Sequence, residues 1–174
     1  MENTKLINQN LADFEDLINF FDNKYYDMIE NTNKMDELYW DIEKEGIGGK
    51  LVLSLEELIN ILDNELKKIY KAEELIYEEM KNVMPEQSSV TALKSENESI
   101  LRLLDSLKSA MNNKENLKKQ KDHLQAEMVA IADLIQRNIH KKINVFFHEV
   151  RTMLPEEKRD EIVQKLNLMV YSVS

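Results

Sequence analysis

The chain has 174 residues, a formal net charge of −10 and no cysteine. The absence of cysteine excludes disulfides, thiolate metal sites and cysteine nucleophiles, and the acidic balance argues against nucleic-acid binding, which needs clustered Lys and Arg. Two prolines and three glycines are few helix breakers, so with abundant Leu, Ile, Glu and Lys the composition predicts an all-helical protein. A chain of this length fits one domain with a single core, and we assign residues 1–174 to one domain.

The amino-terminal stretch MENTKLINQNLADFED is polar and acidic. A secretory signal instead begins with basic residues and continues with an apolar core. No apolar run in the chain approaches the length of a membrane span. We therefore expect a cytoplasmic protein that binds neither membranes nor nucleic acid.

Four short interruptions divide the chain into helices: EGIGGK, NVMPEQSS, AMNNKEN and LPEEK. The motif SLEE, in which Ser54 precedes Glu57 by three residues, has the spacing of a capping box and predicts the start of the third helix. The predicted helices, in chain order, span about 3–22, 24–46, 54–83, 89–111, 114–153 and 155–168.

Apolar residues recur at spacings of three and four in four of these helices, which indicates amphipathic helices that share one core. Short connections make sequential helices antiparallel. The predicted fold is all-α, an up-down-up-down four-helix bundle with an extra N-terminal helix and a short C-terminal helix. The predicted inward positions include Met28, Met35, Leu62, Ile76, Leu93, Ile100, Ile135 and Val145.

Polar residues interrupt the apolar stripe in the middle of every bundle helix. They are Asn31, Glu73, Asn97, Asn138 and Lys142. A buried amide without a partner costs about 1–3 kcal/mol, and a buried charge costs more unless it is paired. The pattern therefore predicts a polar layer across the middle of the core.

Three segments carry a family resemblance: ELKKIYKAEELIYEEM (65–80), TALKSENESILRLLDSLKSAM (91–111) and RNIHKKINVFFHEVRTMLPEEKRDEI (137–162). They are similar to the second, third and fourth bundle helices of hemerythrin-like (HHE cation-binding) domains. The resemblance covers about residues 24–168 and implies a four-helix bundle around a two-iron centre. The ligand positions that it implies are Asn31, Ile69, Glu73, Asn97, Asn138 and Lys142.

The residues at these positions depart from the family pattern. Each of the family's histidine positions lacks histidine, and one carboxylate position is Lys142. Iron of this kind needs imidazole and carboxylate ligands, so we expect no metal and no cofactor. We hypothesise that the Lys142 ammonium replaces the cation and pairs with Glu73, while the asparagine amides complete the hydrogen bonding. In the alternative, Lys142 extends outward along its methylenes.

No motif for catalysis occurs: the chain has no glycine-rich phosphate loop and no nucleophile elbow. His123, His140 and His148 all fall in the fifth predicted helix, and we interpret them as surface residues. The sequence therefore predicts that the protein is not an enzyme and has no catalytic residues.

We expect a hemerythrin-like bundle that has lost its di-iron site and acts through protein–protein contacts, in a regulatory or interaction role. Aromatic residues concentrate in the first 40 positions, among them Tyr39 and Trp40, and some are expected to form a docking patch. Two alternatives remain: a metal-binding hemerythrin-like protein with a reduced or altered cation site, and a helical chaperone of the flagellar or secretion type. A protein partner is expected, and a homodimer is left open.

Overall fold

The computed structural model describes residues 3–5, 10–84, 88–112 and 118–172. The helical elements are α1 (Phe14–Glu45), α2 (Gly49–Val83), α3 (Ser88–Met111), a 3-10 turn (Lys118–Gln120), α4 (Lys121–Lys141), a π-helical segment (Lys142–Phe146), α5 (Phe147–Met153) and α6 (Glu156–Leu168). Of these, α4, the π-helical segment and α5 follow one another without a break and form one long rod.

The long helices form an antiparallel bundle in which each packs on two others. α1 contacts α2 and α4, and α3 contacts the same two helices from the other side. α6 packs across α1 and α2. A short ladder between β1 (Asn3–Lys5) and β2 (Val170–Ser172) adds an antiparallel pair of strands. The predicted all-α bundle is confirmed.

Residues from every bundle helix fill the core, because each helix presents one apolar stripe inward. Most of the predicted inward positions are buried, including Met28, Met35, Leu62, Ile76 and Ile135. Val145 is wrong: its side chain is 52% exposed. The π turn that contains Val145 takes up an extra residue, and this moves the inward position to Phe146, which is buried.

The predicted extra N-terminal helix is wrong. A single helix, α1, covers most of the two segments predicted as separate helices, and it begins at Phe14 rather than near residue 3. Asp13 caps it, because the Asp13 carboxylate accepts a hydrogen bond of 2.9 Å from the Asp16 amide. No glycine or proline lies between Phe14 and Glu45, so nothing interrupts the helix near residue 23.

The predicted start of the next helix is also wrong. α2 begins at Gly49, with Gly48 as its N-cap, so the SLEE motif lies inside the helix. Gly46 ends α1 with a φ of 76° and donates its N–H to Ile42. The glycine cluster therefore both ends α1 and begins α2. The start of the predicted 114–153 helix falls on residues 113–117, which lie outside the described residues.

We expect Gly46→Ala to lower the free energy of unfolding by about 1–3 kcal/mol, because its backbone conformation is one that side chains rarely adopt. Gly49→Ala is the matched control. A Cβ at Gly49 meets open space and the residue is helical, so this change should leave stability equal or raise it slightly. Urea unfolding of both variants measures the difference. Equal stabilities would contradict the left-handed backbone conformation of Gly46.

Candidate functional site

A buried ion pair lies in the middle of the bundle. Glu73 on α2 and Lys142 at the start of the π-helical segment both have side chains that are 0% exposed. Lys142 Nζ lies 2.9 Å from Glu73 Oε1 and 2.8 Å from Oε2. The lysine therefore points into the core and binds both carboxylate oxygens. The alternative in which Lys142 extends to solvent is wrong.

Three further side chains donate hydrogen bonds to the Glu73 carboxylate. The hydroxyl of Tyr25 on α1 donates to Oε1 at 2.6 Å, and the hydroxyl of Tyr77 donates to Oε2 at 2.8 Å. The amide of Asn97 on α3 donates to Oε2 at 3.0 Å. A carboxylate offers about four acceptor sites. With Lys142 included, both oxygens of Glu73 are fully used.

The Lys142 ammonium has partners beyond the carboxylate. It donates to the side-chain oxygen of Asn97 at 2.9 Å. Its nitrogen also lies 4.5 Å from the ring centroid of Tyr70 and 5.7 Å from that of Tyr25, distances at which an aromatic face attracts a cation. Asn97 thus bridges the pair, because it donates to one charge and accepts from the other.

Helical spacing explains why α2 supplies much of this site. Tyr70, Glu73 and Tyr77 are three and four residues apart, so their side chains share one face of the helix. Because this face points into the bundle, the carboxylate becomes buried together with two aromatic rings. The apolar parts of the rings pack in the core, and the hydroxyl of Tyr77 supplies the hydrogen bond that the carboxylate needs.

Two consecutive phenylalanines hold the tyrosines in place. The ring of Phe146 lies 5.1 Å from that of Tyr77 on α2, and the ring of Phe147 lies 6.1 Å from that of Tyr25 on α1. Consecutive helical residues point about 100° apart, so the two rings reach different neighbouring helices. The π-helical segment and the first residue of α5 therefore link the lysine to the packing of both tyrosines.

Asn138 belongs to the polar layer but does not contact Glu73. It lies on α4, one turn before Lys142, and its amide donates to Glu96 on α3 at 3.1 Å. Lys141 pairs with the same carboxylate. The side-chain oxygen of Asn138 is buried without a protein partner. This second contact joins α3 to α4 at the edge of the core.

Two of the predicted positions, Asn31 and Ile69, contribute no polar group to the layer. Asn31 is half-buried at the surface between α1 and α2, and its prediction as a core residue is wrong. The next residue, Thr32, is fully buried instead, and its hydroxyl accepts a hydrogen bond of 2.8 Å from Gln136 on α4. Ile69 is buried in the core, as its inward spacing predicted, but it adds no polar atom.

Burial sets the protonation of the layer. Burial raises the pKa of Tyr25, Tyr70 and Tyr77, and the negative charge of Glu73 raises it further. Their hydroxyl protons are therefore held firmly. Burial also lowers the pKa of Lys142, while the charge and hydrogen bonds of Glu73 oppose that change. The carboxylate is what keeps a proton on a lysine in this setting.

No three His, Cys, Asp or Glu side chains group closely enough to hold a metal ion in the described ranges. His123 Nε2 lies 3.5 Å from Glu127 Oε1, and the side chains of His123, His140 and His148 are exposed.

Among the described residues, no helix is both long and apolar enough to cross a bilayer.

Comparison of the chain with models of protein families, with curated proteins and with solved structures found no match. The all-helical antiparallel bundle rests on the packing of the helices themselves. Sequence reasoning missed Tyr25, Tyr70 and Tyr77. The spacing of Tyr70 and Tyr77 around Glu73 on one helical face was the available signal.

We expect Lys142→Met to lower the free energy of unfolding by about 3–5 kcal/mol, because it leaves the Glu73 charge buried without its counter-ion. The neighbouring Lys141→Met is the matched control. Its exposed ion pair with Glu96 should contribute at most about 1 kcal/mol. Urea unfolding at neutral pH measures both.

The double variant Glu73→Gln/Lys142→Met removes both charges and keeps the approximate volume. It should recover most of the stability that Lys142→Met loses, because no unpaired charge remains. A double variant no more stable than Lys142→Met would show that the two residues act independently.

Alkaline pH should destabilise the protein through its buried tyrosines. Their pKa values in the folded state are raised, so their contribution is complete below about pH 10 and is lost as the pH rises further. With up to three protons retained only by the folded state, the free energy of unfolding should fall by up to about 4 kcal/mol per pH unit.

The measurement is urea unfolding between about pH 10.5 and 11.5, where the tyrosines of the unfolded chain are mostly ionised. Tyr70→Phe should reduce the slope by about one third, since it removes one of the three titrating groups. An unchanged slope in this variant would contradict the burial of the Tyr70 hydroxyl in its protonated form.

Proposed function

We propose that this chain is a non-enzymatic helical bundle, related to the hemerythrin-like domains, that has lost the di-iron site and acts through protein–protein contacts. The observation that carries the proposal is the Lys142 ammonium bound between both oxygens of Glu73 at the centre of the bundle. The hemerythrin-like resemblance implies ligand positions at these two residues. A tethered cation then takes the place of the metal.

The contacts of Glu73 argue against a reduced cation site. Its oxygens already accept hydrogen bonds from Tyr25, Tyr77, Asn97 and Lys142. A metal ion would have to displace these donors and would meet the positive charge of the ammonium nearby. The arrangement therefore favours a closed interior over a binding site.

Burial also argues against catalysis at this layer. A reactive lysine needs access for its substrate, whereas Lys142 and Glu73 are 0% exposed.

The surface carries side chains that suit protein contacts. Large apolar side chains are exposed on α1 and α2, including Trp40 at 59% and Leu53 at 61%. Exposed aromatic and aliphatic residues of this kind are the usual anchors of protein contacts.

The distribution of these side chains disfavours the secretion-chaperone alternative, which predicts a concentration on the last helices. In the described residues, large exposed apolar side chains occur on the first two helices as well as on the later ones. They are Tyr26, Trp40, Leu53, Ile61, Val83, Val129, Val145, Met153 and Leu168.

The proposal is tested first by elemental analysis and visible absorption of protein expressed with added iron and never exposed to chelator. The expected result is near-zero metal and no visible band, because the carboxylate has no free acceptor site. Two irons per chain would show that the protein is a working metal domain and would overturn the proposal.

The contact role is tested by using the full chain as bait in cells of its source, followed by light scattering of the purified complex. A partner that binds in a fixed ratio is expected to bind Lys142→Met as well as the native chain at a temperature where both are folded. A chain that remains without a partner under these conditions would argue against the contact role.

A further inference from the structure

A groove runs along the seam between α1 and α2. It consists of two adjoining hollows of about 280 and 400 Å³ that share Asn31, Lys34 and Ile61. Its α1 wall extends from Lys24 to Asp41, about 26 Å at 1.5 Å per residue. We call it the α1–α2 groove. Its length matches about five turns of a helix.

The Lys24 end of the α1–α2 groove is lined mainly by polar and charged side chains, whereas the end toward Asp41 has an apolar inner surface. Leu58 is buried at its base, Leu38 is partly buried beside it, and Ile61 is 42% exposed on the α2 side. Leu53 lies about two turns before Ile61 on α2, beyond the residues that line the groove, and is also exposed. Ile61 and Leu53, together with the outer part of Leu38, form an apolar strip that the bundle leaves accessible.

The rims of the groove carry an excess of negative charge. Its two lysines are already neutralised, because Lys24 lies 3.2 Å from Glu65 and Lys34 lies 3.1 Å from Glu30. Four other carboxylates of the groove are exposed and form no ion pair within the described residues. They are Asp27, Glu37, Asp41 and Glu57.

We propose that the α1–α2 groove is the docking site for a basic amphipathic helix of a protein partner. The proposal rests on the contact role proposed above and names the surface and the class of partner. An amphipathic helix places apolar residues at spacings of three, four and seven, which suits the apolar strip. Lysines and arginines beside that stripe would face the unpaired carboxylates on the rims.

Charge also decides against other occupants. A second copy of this chain, with a net charge of −10, would bring like charges together at an acidic groove. Nucleic acid would be repelled for the same reason. A basic helix is the occupant that both the apolar strip and the rim charges favour.

The test uses a synthetic helical peptide of about 18 residues with leucines at helical spacing and lysines and arginines on its other positions. A scrambled peptide of the same composition, without that spacing, is the probe control. Binding to the full chain is measured by fluorescence anisotropy. The amphipathic peptide is expected to bind about tenfold or more tightly than the scrambled one, since only it presents an apolar stripe.

Two double variants with the same change in net charge separate the groove from the rest of the surface. Glu37→Lys/Glu57→Lys, on the groove rims, should weaken binding by about tenfold or more, and Glu98→Lys/Asp105→Lys, on exposed positions of α3, should weaken it much less. Equal weakening by both, or equal binding of the two peptides, would reduce the interaction to general charge attraction and overturn the proposal.

Light scattering of the native chain and of the same variants tests whether a second copy of the chain occupies the groove. A native dimer that the groove variant converts to a monomer would assign the groove to a second copy and overturn the proposal. Different results would overturn the groove as the docking site and the contact role of the chain. A natural partner that binds the groove variant as well as it binds the native chain would overturn the groove alone, whereas absence of any partner would remove the contact role itself.

Discussion

A carboxylate at the centre of a helical bundle must have its charge neutralised and its acceptor sites filled, and Glu73 imposes this requirement on the whole core. The four side chains that donate hydrogen bonds to Glu73 come from the four long helical elements of the bundle. Tyr25 lies on α1, Tyr77 on α2, Asn97 on α3, and Lys142 on the rod that continues α4. Because a shift of any helix along its axis would break one of these contacts, the layer fixes the register of the bundle. An apolar core of the same volume would be at least as stable, so specificity of packing is the more reasonable benefit of the pair.

The sequence predicted this layer where a polar residue interrupts an apolar stripe, as for Glu73 and Lys142. It could not separate Asn31 from Thr32, since either residue divides the interval from Met28 to Met35 into steps of three and four. The tyrosines escaped prediction because an aromatic ring at an inward position resembles ordinary core. The π turn was equally hidden, because no local residue marks it, and it displaced the inward position at residue 145 by one. Helix ends depended on competition between signals: the glycines at 46, 48 and 49 prevailed over the capping spacing of SLEE.

A closed interior shifts attention to the surface. Polar groups inside the bundle form hydrogen bonds with one another. The hydrogen bond from Asn138 to Glu96, for example, joins α4 to α3. Among the exposed carboxylates of the described residues, Asp27, Glu37, Asp41 and Glu57 lie along the α1–α2 groove, beside exposed apolar side chains. On these grounds we propose that the centre of the fold has a structural role and that an outer face binds a partner.

The ion pair between Lys142 and Glu73 requires that Lys142 is charged. Heteronuclear NMR of ¹⁵N-labelled protein at neutral pH reports its charge state directly, and Lys142→Met assigns the signal. We predict a charged ammonium whose protons exchange slowly with water, since the group is 0% exposed and bonded to Glu73 and Asn97. A rapidly exchanging ammonium would place the side chain in solvent, and a neutral amine would leave the carboxylate without its counter-ion. Either result would contradict the ion pair at the centre of the bundle.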